Sequence, residues 1–179
     1  MFDLSTLDEL RPHKNIGLQN VTHTDFTVPQ KCKRLTFLSG TITSYKIPEG
    51  IVHFYCSCMN TIEHLELPQS LEELYCSGNP ITKLVIPPNI RTIVCDNCKI
   101  TSIEPQGELT CLERLSAEHN KIASIDFKLP KTLHTLDIFD NEGIKIKYLD
   151  FAFKDASLDM LCGGDFFETL NPGSSFTHI

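Results

Sequence analysis

Leu71-Glu72-Glu73-Leu74-Tyr75-Cys76-Ser77-Gly78-Asn79-Pro80-Ile81 sets apolar residues at the first, fourth, sixth and eleventh positions of a unit and asparagine at the ninth. The same spacing recurs on both sides. Ile90, Ile93, Cys95, Cys98 and Ile100 fill the pattern downstream, then Leu112, Leu115, Ala117, Asn120 and Ile122, then Leu133, Leu136, Ile138 and Asn141. Upstream, Ile51, Phe54 and Cys56 open one copy, and Cys32, Leu35, Phe37, Gly40 and Ile42 open another. Copies start at residues 32, 51, 71, 90, 112 and 133, so successive starts differ by 19, 20, 19, 22 and 21 residues. A related dipeptide precedes most copies: Val28-Pro29, Ile47-Pro48, Leu67-Pro68, Ile86-Pro87 and Leu129-Pro130.

A unit this short cannot bury its own apolar face, so neighbouring units must stack. Leu74 in, Tyr75 out and Cys76 in is the period of a β-strand. Stacked copies therefore predict one curved parallel sheet, with strands about 4.8 Å apart. Proline ends pairing between units because it has no N–H to donate. Little length is left for helix on the convex side, which is expected to be extended or 3₁₀. The ninth-position asparagines, Asn79, Asn120 and Asn141, are expected to point inward, where their amides satisfy loop backbone that would otherwise be buried unpaired.

The unit resembles the leucine-rich repeat, whose consensus is L-x-x-L-x-L-x-x-N/C-x-L. Its short period and leading L-P resemble the compact subtype found in bacterial effectors and in repeat proteins encoded by amoebae and giant viruses. Two copies depart from the pattern: one has Gly40 at the ninth position, the other Met59 with Asn60 beside it. The expected architecture is a leucine-rich-repeat solenoid of about six repeats over 28–150, with non-repeat caps at 1–27 and 151–179. Within the last of these, Asp155 to Gly164 reads as a short helix with a glycine stop.

Composition narrows the function. The chain has 179 residues and a net charge of −7, and its pI is near 5.4. An acidic surface argues against nucleic-acid binding, which requires phosphate neutralisation. No run of about 18 apolar residues is available to cross a membrane. The acidic N-terminus does not read as a signal peptide. Together with eight cysteines, this points to a reducing, cytoplasmic setting in which thiols stay free.

Cys95-Asp96-Asn97-Cys98 has the spacing of a metal or redox motif. The repeat register accounts for it without either, since Cys95 shares the sixth position with Cys56 and Cys76, and Cys98 falls where the consensus permits Asn or Cys. These thiols are expected to act as small core hydrophobes. Cys58 and Cys111 fall outside the core positions. The seven histidines share no spacing, and no nucleophile elbow, phosphate loop or metal-binding helix motif occurs. The sequence therefore predicts no enzyme, cofactor or metal.

Positions three, five and seven project from the concave face. The expected partner-binding residues there are Leu38, His53, Tyr55, Glu73, Tyr75, Val94, Asp96, Arg114, Glu118, Asp137 and Phe139. Tyr55, Tyr75, Val94 and Leu38 form an apolar strip, and rigid aromatics are frequent binding hot spots. The acids beyond them favour a protein partner with a basic element. By resemblance the chain is a non-catalytic protein-interaction module acting in a host cytosol. The alternative is a structural component of an assembly, such as a virion, that packs through edges or caps.

Overall fold

The computed structural model describes residues 15–146 and the backbone of 159–161. The main sheet is built from β1 (Asn15–Leu18), β2 (Arg34–Phe37), β4 (His53–Tyr55), β6 (Glu73–Tyr75), β8 (Thr92–Val94), β10 (Arg114–Ser116), β12 (Thr135–Asp137) and β14 (Asp159–Leu161). These eight strands lie side by side in that order. Every pairing is parallel. Between them the chain returns through β3 (Ser44–Lys46), β5 (His64–Glu66), β7 (Lys83–Ile86), β9 (Ser102–Pro105), β11 (Ser124–Ile125) and β13 (Lys145–Ile146). These pair in parallel as β3-β5, β7-β9 and β11-β13. The back of the solenoid is thus extended, and no helix occurs among the described residues.

The core lies between the two layers. Leu35, Phe54, Leu74, Ile93, Leu115 and Leu136, all at the fourth position, are fully buried, as are Ile62, Ile81, Ile100 and Ile122 behind them. The recurring dipeptide has a defined task. Each proline carbonyl accepts from the N–H three residues on, as in Ile51 to Pro48 (3.3 Å), Leu71 to Pro68 (3.2 Å) and Leu133 to Pro130 (3.1 Å). That turn redirects the chain from the back into the next strand.

A second regularity is carried by the backbone. The eighth position of successive units is left-handed: φ is 61° at Cys58, 68° at Gly78, 54° at Asn97, 51° at His119 and 53° at Asp140. Glycine, asparagine and aspartate tolerate this region; cysteine and histidine less so. The twist turns the ninth residue inward. Asn79 Nδ2 donates to Cys56 O and Cys76 O, both at 2.9 Å, while its Oδ1 accepts from Ile62 N at 3.2 Å. Asn120 and Asn141 repeat the arrangement one turn apart. The expected inward asparagines are therefore a ladder that links each turn to the one before.

Two boundaries differ from expectation. The sheet starts at Asn15 rather than after residue 27, because Asn15 to Leu18 pair residue for residue with Arg34 to Phe37 and bury Ile16. It also continues into the expected C-terminal cap, where residues 159–161 form a strand and not part of a helix. Pairing with β12 satisfies main-chain groups that an open sheet edge would leave exposed, and this outweighs local helix propensity. The rest of the expected helix lies outside the described residues, as do residues 1–14 of the expected N-terminal cap.

Candidate functional site

Parallel pairing without slippage aligns two rows of outward side chains. One runs Arg34, His53, Glu73, Thr92, Arg114, Thr135; the other runs Thr36, Tyr55, Tyr75, Val94, Ser116, Asp137. Beyond the strand ends lie Leu38, Asp96, Glu118 and Phe139. The face divides into two halves of different chemistry.

The first half is aromatic. Tyr55 and Tyr75 stack at 4.8 Å between ring centroids with 13° between planes. The Arg34 guanidinium lies 5.2 Å over the Tyr55 ring, a cation–π distance. Tyr55 OH donates to Glu73 Oε2 at 2.8 Å, and His53 Nδ1 lies 2.9 Å from the same oxygen. Burial, then the Glu73 carboxylate, pushes the Tyr55 phenol up to about 12. Burial alone would raise Glu73 too. The hydrogen bond from Tyr55, with the close approach of His53 and the Arg34 charge, outweighs it and holds the carboxyl below its ordinary value. Glu73 is therefore an anion committed to positioning the tyrosines. Leu38 stands at one margin with 59% of its surface exposed.

The second half is acidic. Asp96 Oδ1 accepts from Ser116 OH at 2.8 Å and from Glu118 N at 3.0 Å. Glu118 is pushed up to about 7, first by its hydrogen bond to Asp137, then by burial and the Asp137 and Asp96 charges, with His119 opposing. The protonated form of Glu118 is thus favoured over its carboxylate. His119 Nδ1 sits 2.7 Å from Asp140 Oδ2, and its ring meets Phe139 edge-on at 5.9 Å. Phe139 is 47% exposed. Arg114 is exposed and has no ion-pair partner among the described residues.

Most of the expected face residues are thus open or half-open. Asp137 is not: it is 6% exposed, and Ser116 beside it is 1% exposed. Asp137 Oδ1 accepts from Phe139 N at 3.3 Å. Asp137 supports Glu118 and Phe139 rather than meeting solvent. Arg34 belongs to the aromatic cluster although the expected binding set omitted it; its register with His53 and Glu73 carried that signal. Behind the sheet, an open groove of about 560 Å³ runs past Pro48, Leu67 and Val85, rimmed by Lys46, Glu66 and Gln106.

The proton held on Glu118 has a measurable consequence. Folded Glu118 keeps its proton up to about pH 7, whereas at its ordinary value of 4.5 it would be lost earlier. Between those values the folded chain binds more protons than the unfolded one, so stability falls as pH rises through the window. Glu118→Gln is expected to flatten that slope, read from urea midpoints at about pH 5 and about pH 8. His119, raised by Asp140 and in smaller part by Glu118 itself, contributes with the same sign, so the difference between the two proteins reports Glu118 together with its influence on His119.

Residues 70–93, one turn of this parallel sheet and its first ladder asparagine, match the family model for the Leucine Rich Repeat. The fold is that of a leucine-rich-repeat solenoid. Among solved structures it is similar to YopM from Yersinia enterocolitica WA-314, at 18% identity and a TM-score of 0.39. That overlap covers 74% of this chain and 42% of YopM, so the chain spans well under half of that protein's length. The strand register, not this likeness, carries the assignment. No curated protein matches. Leucine-rich-repeat solenoids are interaction scaffolds that offer an extended surface instead of a cleft.

Proposed function

We propose that this solenoid is a non-catalytic interaction module that binds a partner protein on the open face of its main sheet. It needs no cofactor, and it acts in the cytoplasm without nucleic acid or membrane. The observation that carries the reading is the stacked Tyr55–Tyr75 pair, half-exposed and held in place by Glu73 and Arg34. A pre-ordered aromatic surface binds with little loss of side-chain freedom. Leu38 and Phe139 extend the apolar strip toward its two ends, and Asp96 and Glu118 favour a basic element in the partner.

The test is an affinity pull-down from lysate with mass-spectrometric readout, comparing wild type with a Leu38→Ser, Tyr55→Ser, Tyr75→Ser variant. Asp137 is left intact because it is buried. A protein held by wild type, released by salt, and retained about tenfold less by the folded variant supports the reading. Equal retention excludes this face and favours an assembly component that packs through edges or the back groove.

A further inference from the structure

Consecutive turns of this solenoid are joined twice, by the main sheet at the front and by main-chain bonds along the back. At the back, Thr41 N–H donates to Val21 O at 2.8 Å, Glu63 to Thr43 O at 2.7 Å, Lys99 to Ile81 O at 3.0 Å, Lys121 to Ile100 O at 2.8 Å and Lys145 to Ala123 O at 3.0 Å. One junction lacks such a bond. The strands β5 and β7 follow one another along the back without pairing, and among the described residues no main-chain bond links 62–68 to 80–87. Side chains bridge only the two ends of that stretch. Asn79 Oδ1 accepts from Ile62 N at one end, and Asn89 Nδ2 donates to Gln69 O at the other, both at 3.2 Å.

The sequence supplies the cause. Thr41, Lys99 and Lys121 occupy the tenth position of their units, and Pro80 occupies it here. Proline has no N–H to donate, so the carbonyl of the fully buried Ile62 meets no donor among the described residues. Thr61 Oγ1, one residue earlier, is also buried without a partner. Unpaired buried polar groups cost free energy that contact with water relieves. The groove of about 560 Å³ lies at the same junction, between Leu65 and Leu67 on one side and Val85 on the other.

We propose that the junction between β5 and β7 is a hinge, at which the back of the solenoid opens to water while β4 and β6 stay paired at the front. A solenoid is held by nearest-neighbour interfaces, so it parts where one of them is weakest. The front acts as the spine: Cys56 N–H donates to Tyr75 O at 2.8 Å and Cys58 N–H to Ser77 O at 2.7 Å across the same junction. Opening breaks the bond from Ile62 N to Asn79 and exposes apolar surface, and in return water reaches Ile62 O and the Thr61 hydroxyl. The two turns that tilt against each other are those bearing Tyr55 and Tyr75. That the tilt fits the open face to a partner rests on the function proposed above; the hinge itself does not.

Amide hydrogen exchange of the full chain, followed by NMR with no partner present, tests the hinge apart from the binding face. Ile62 and Ile100 make the same ladder bond, to Asn79 Oδ1 at 3.2 Å and to Asn120 Oδ1 at 2.9 Å, but only the Ile100 junction also has a back bond. After correction for intrinsic rates, Ile62 N–H is expected to exchange about three- to tenfold faster than Ile100 N–H, the scale of one net hydrogen bond. Cys56 N–H, on the spine, should stay as slow as Cys76 N–H, which donates to Val94 O at 2.9 Å. Pro80→Lys installs the residue found at 99 and 121 and supplies the missing donor, with circular dichroism as the check on folding. It should slow Ile62 to the rate of Ile100 and leave Ile100 unchanged. Equal exchange of Ile62 and Ile100 in the wild type overturns the proposal. So does exchange of Cys56 as fast as Ile62, which would mean that the whole turn separates, and so does a folded Pro80→Lys that slows Ile62 and Ile100 alike or slows neither.

Discussion

Replacing Asn120 by alanine is expected to lower the unfolding free energy by about 3–5 kcal/mol, because it strands several buried backbone groups at about 1–3 kcal/mol each. The Asn120 amide donates to Cys95 O at 2.9 Å and Ala117 O at 3.1 Å, and its oxygen accepts from Ile100 N at 2.9 Å. No neighbouring side chain replaces these contacts, since the adjoining ladder rungs are committed to their own turns. The substitution also uncouples two repeats, and stability in a solenoid rests on nearest-neighbour contacts. Urea denaturation monitored by circular dichroism measures the loss. Asn120→Cys serves as the internal control: Cys98 shows that a thiol is accommodated at this position, so its loss should be the smaller of the two. An equal loss in both variants would mean that neither the volume of the thiol nor its hydrogen bonding replaces the amide, so that the bonds of Asn120 itself set the energy.

The repeat was legible because its signal is redundant. Leu74, Ile93, Leu115 and Leu136 each state the same inward position, and a strand period inside a 20-residue unit admits few arrangements other than a stacked parallel sheet. Register followed, and with it the rows that place Tyr55 beside Tyr75 and Arg34 beside His53. What stayed hidden depends on contacts between side chains or on main-chain energies that no side-chain pattern records. The left-handed eighth position is masked by His119 and Cys58, whose side chains do not advertise a positive φ. Asp137 occupies an outward position and is nevertheless buried, because burial depends on contacts between side chains that a position in the repeat does not record. The strand at 159–161 reflects the demand of β12 for a hydrogen-bonded neighbour, and that demand lies outside the segment itself.

Phe54→Ala is the other large effect, expected at about 3–5 kcal/mol, and it separates stability from binding along a single strand. Phe54 is fully buried, 5.1 Å from the Phe37 ring at an interplanar angle of 86° and 5.9 Å from Tyr45 at 24°. Phe26 closes the cluster against Phe37 and Tyr45. Removing the ring leaves a cavity lined by rigid aromatics that cannot collapse to fill it, which places the cost near the top of the usual range. Phe54→Leu restores most of the volume but none of the edge-to-face geometry, worth about 0.5–1.5 kcal/mol per aromatic pair, so it should recover only part of the loss. Tyr55, the next residue, points to the opposite face of the sheet. Tyr55→Ser should cost about 1 kcal/mol or less in urea midpoint, the scale of a cross-strand pair, while weakening partner capture. If Tyr55→Ser instead destabilised the fold as much as Phe54→Ala, the Tyr55–Tyr75 stack would be part of the structural core and the proposed face would lose its main support.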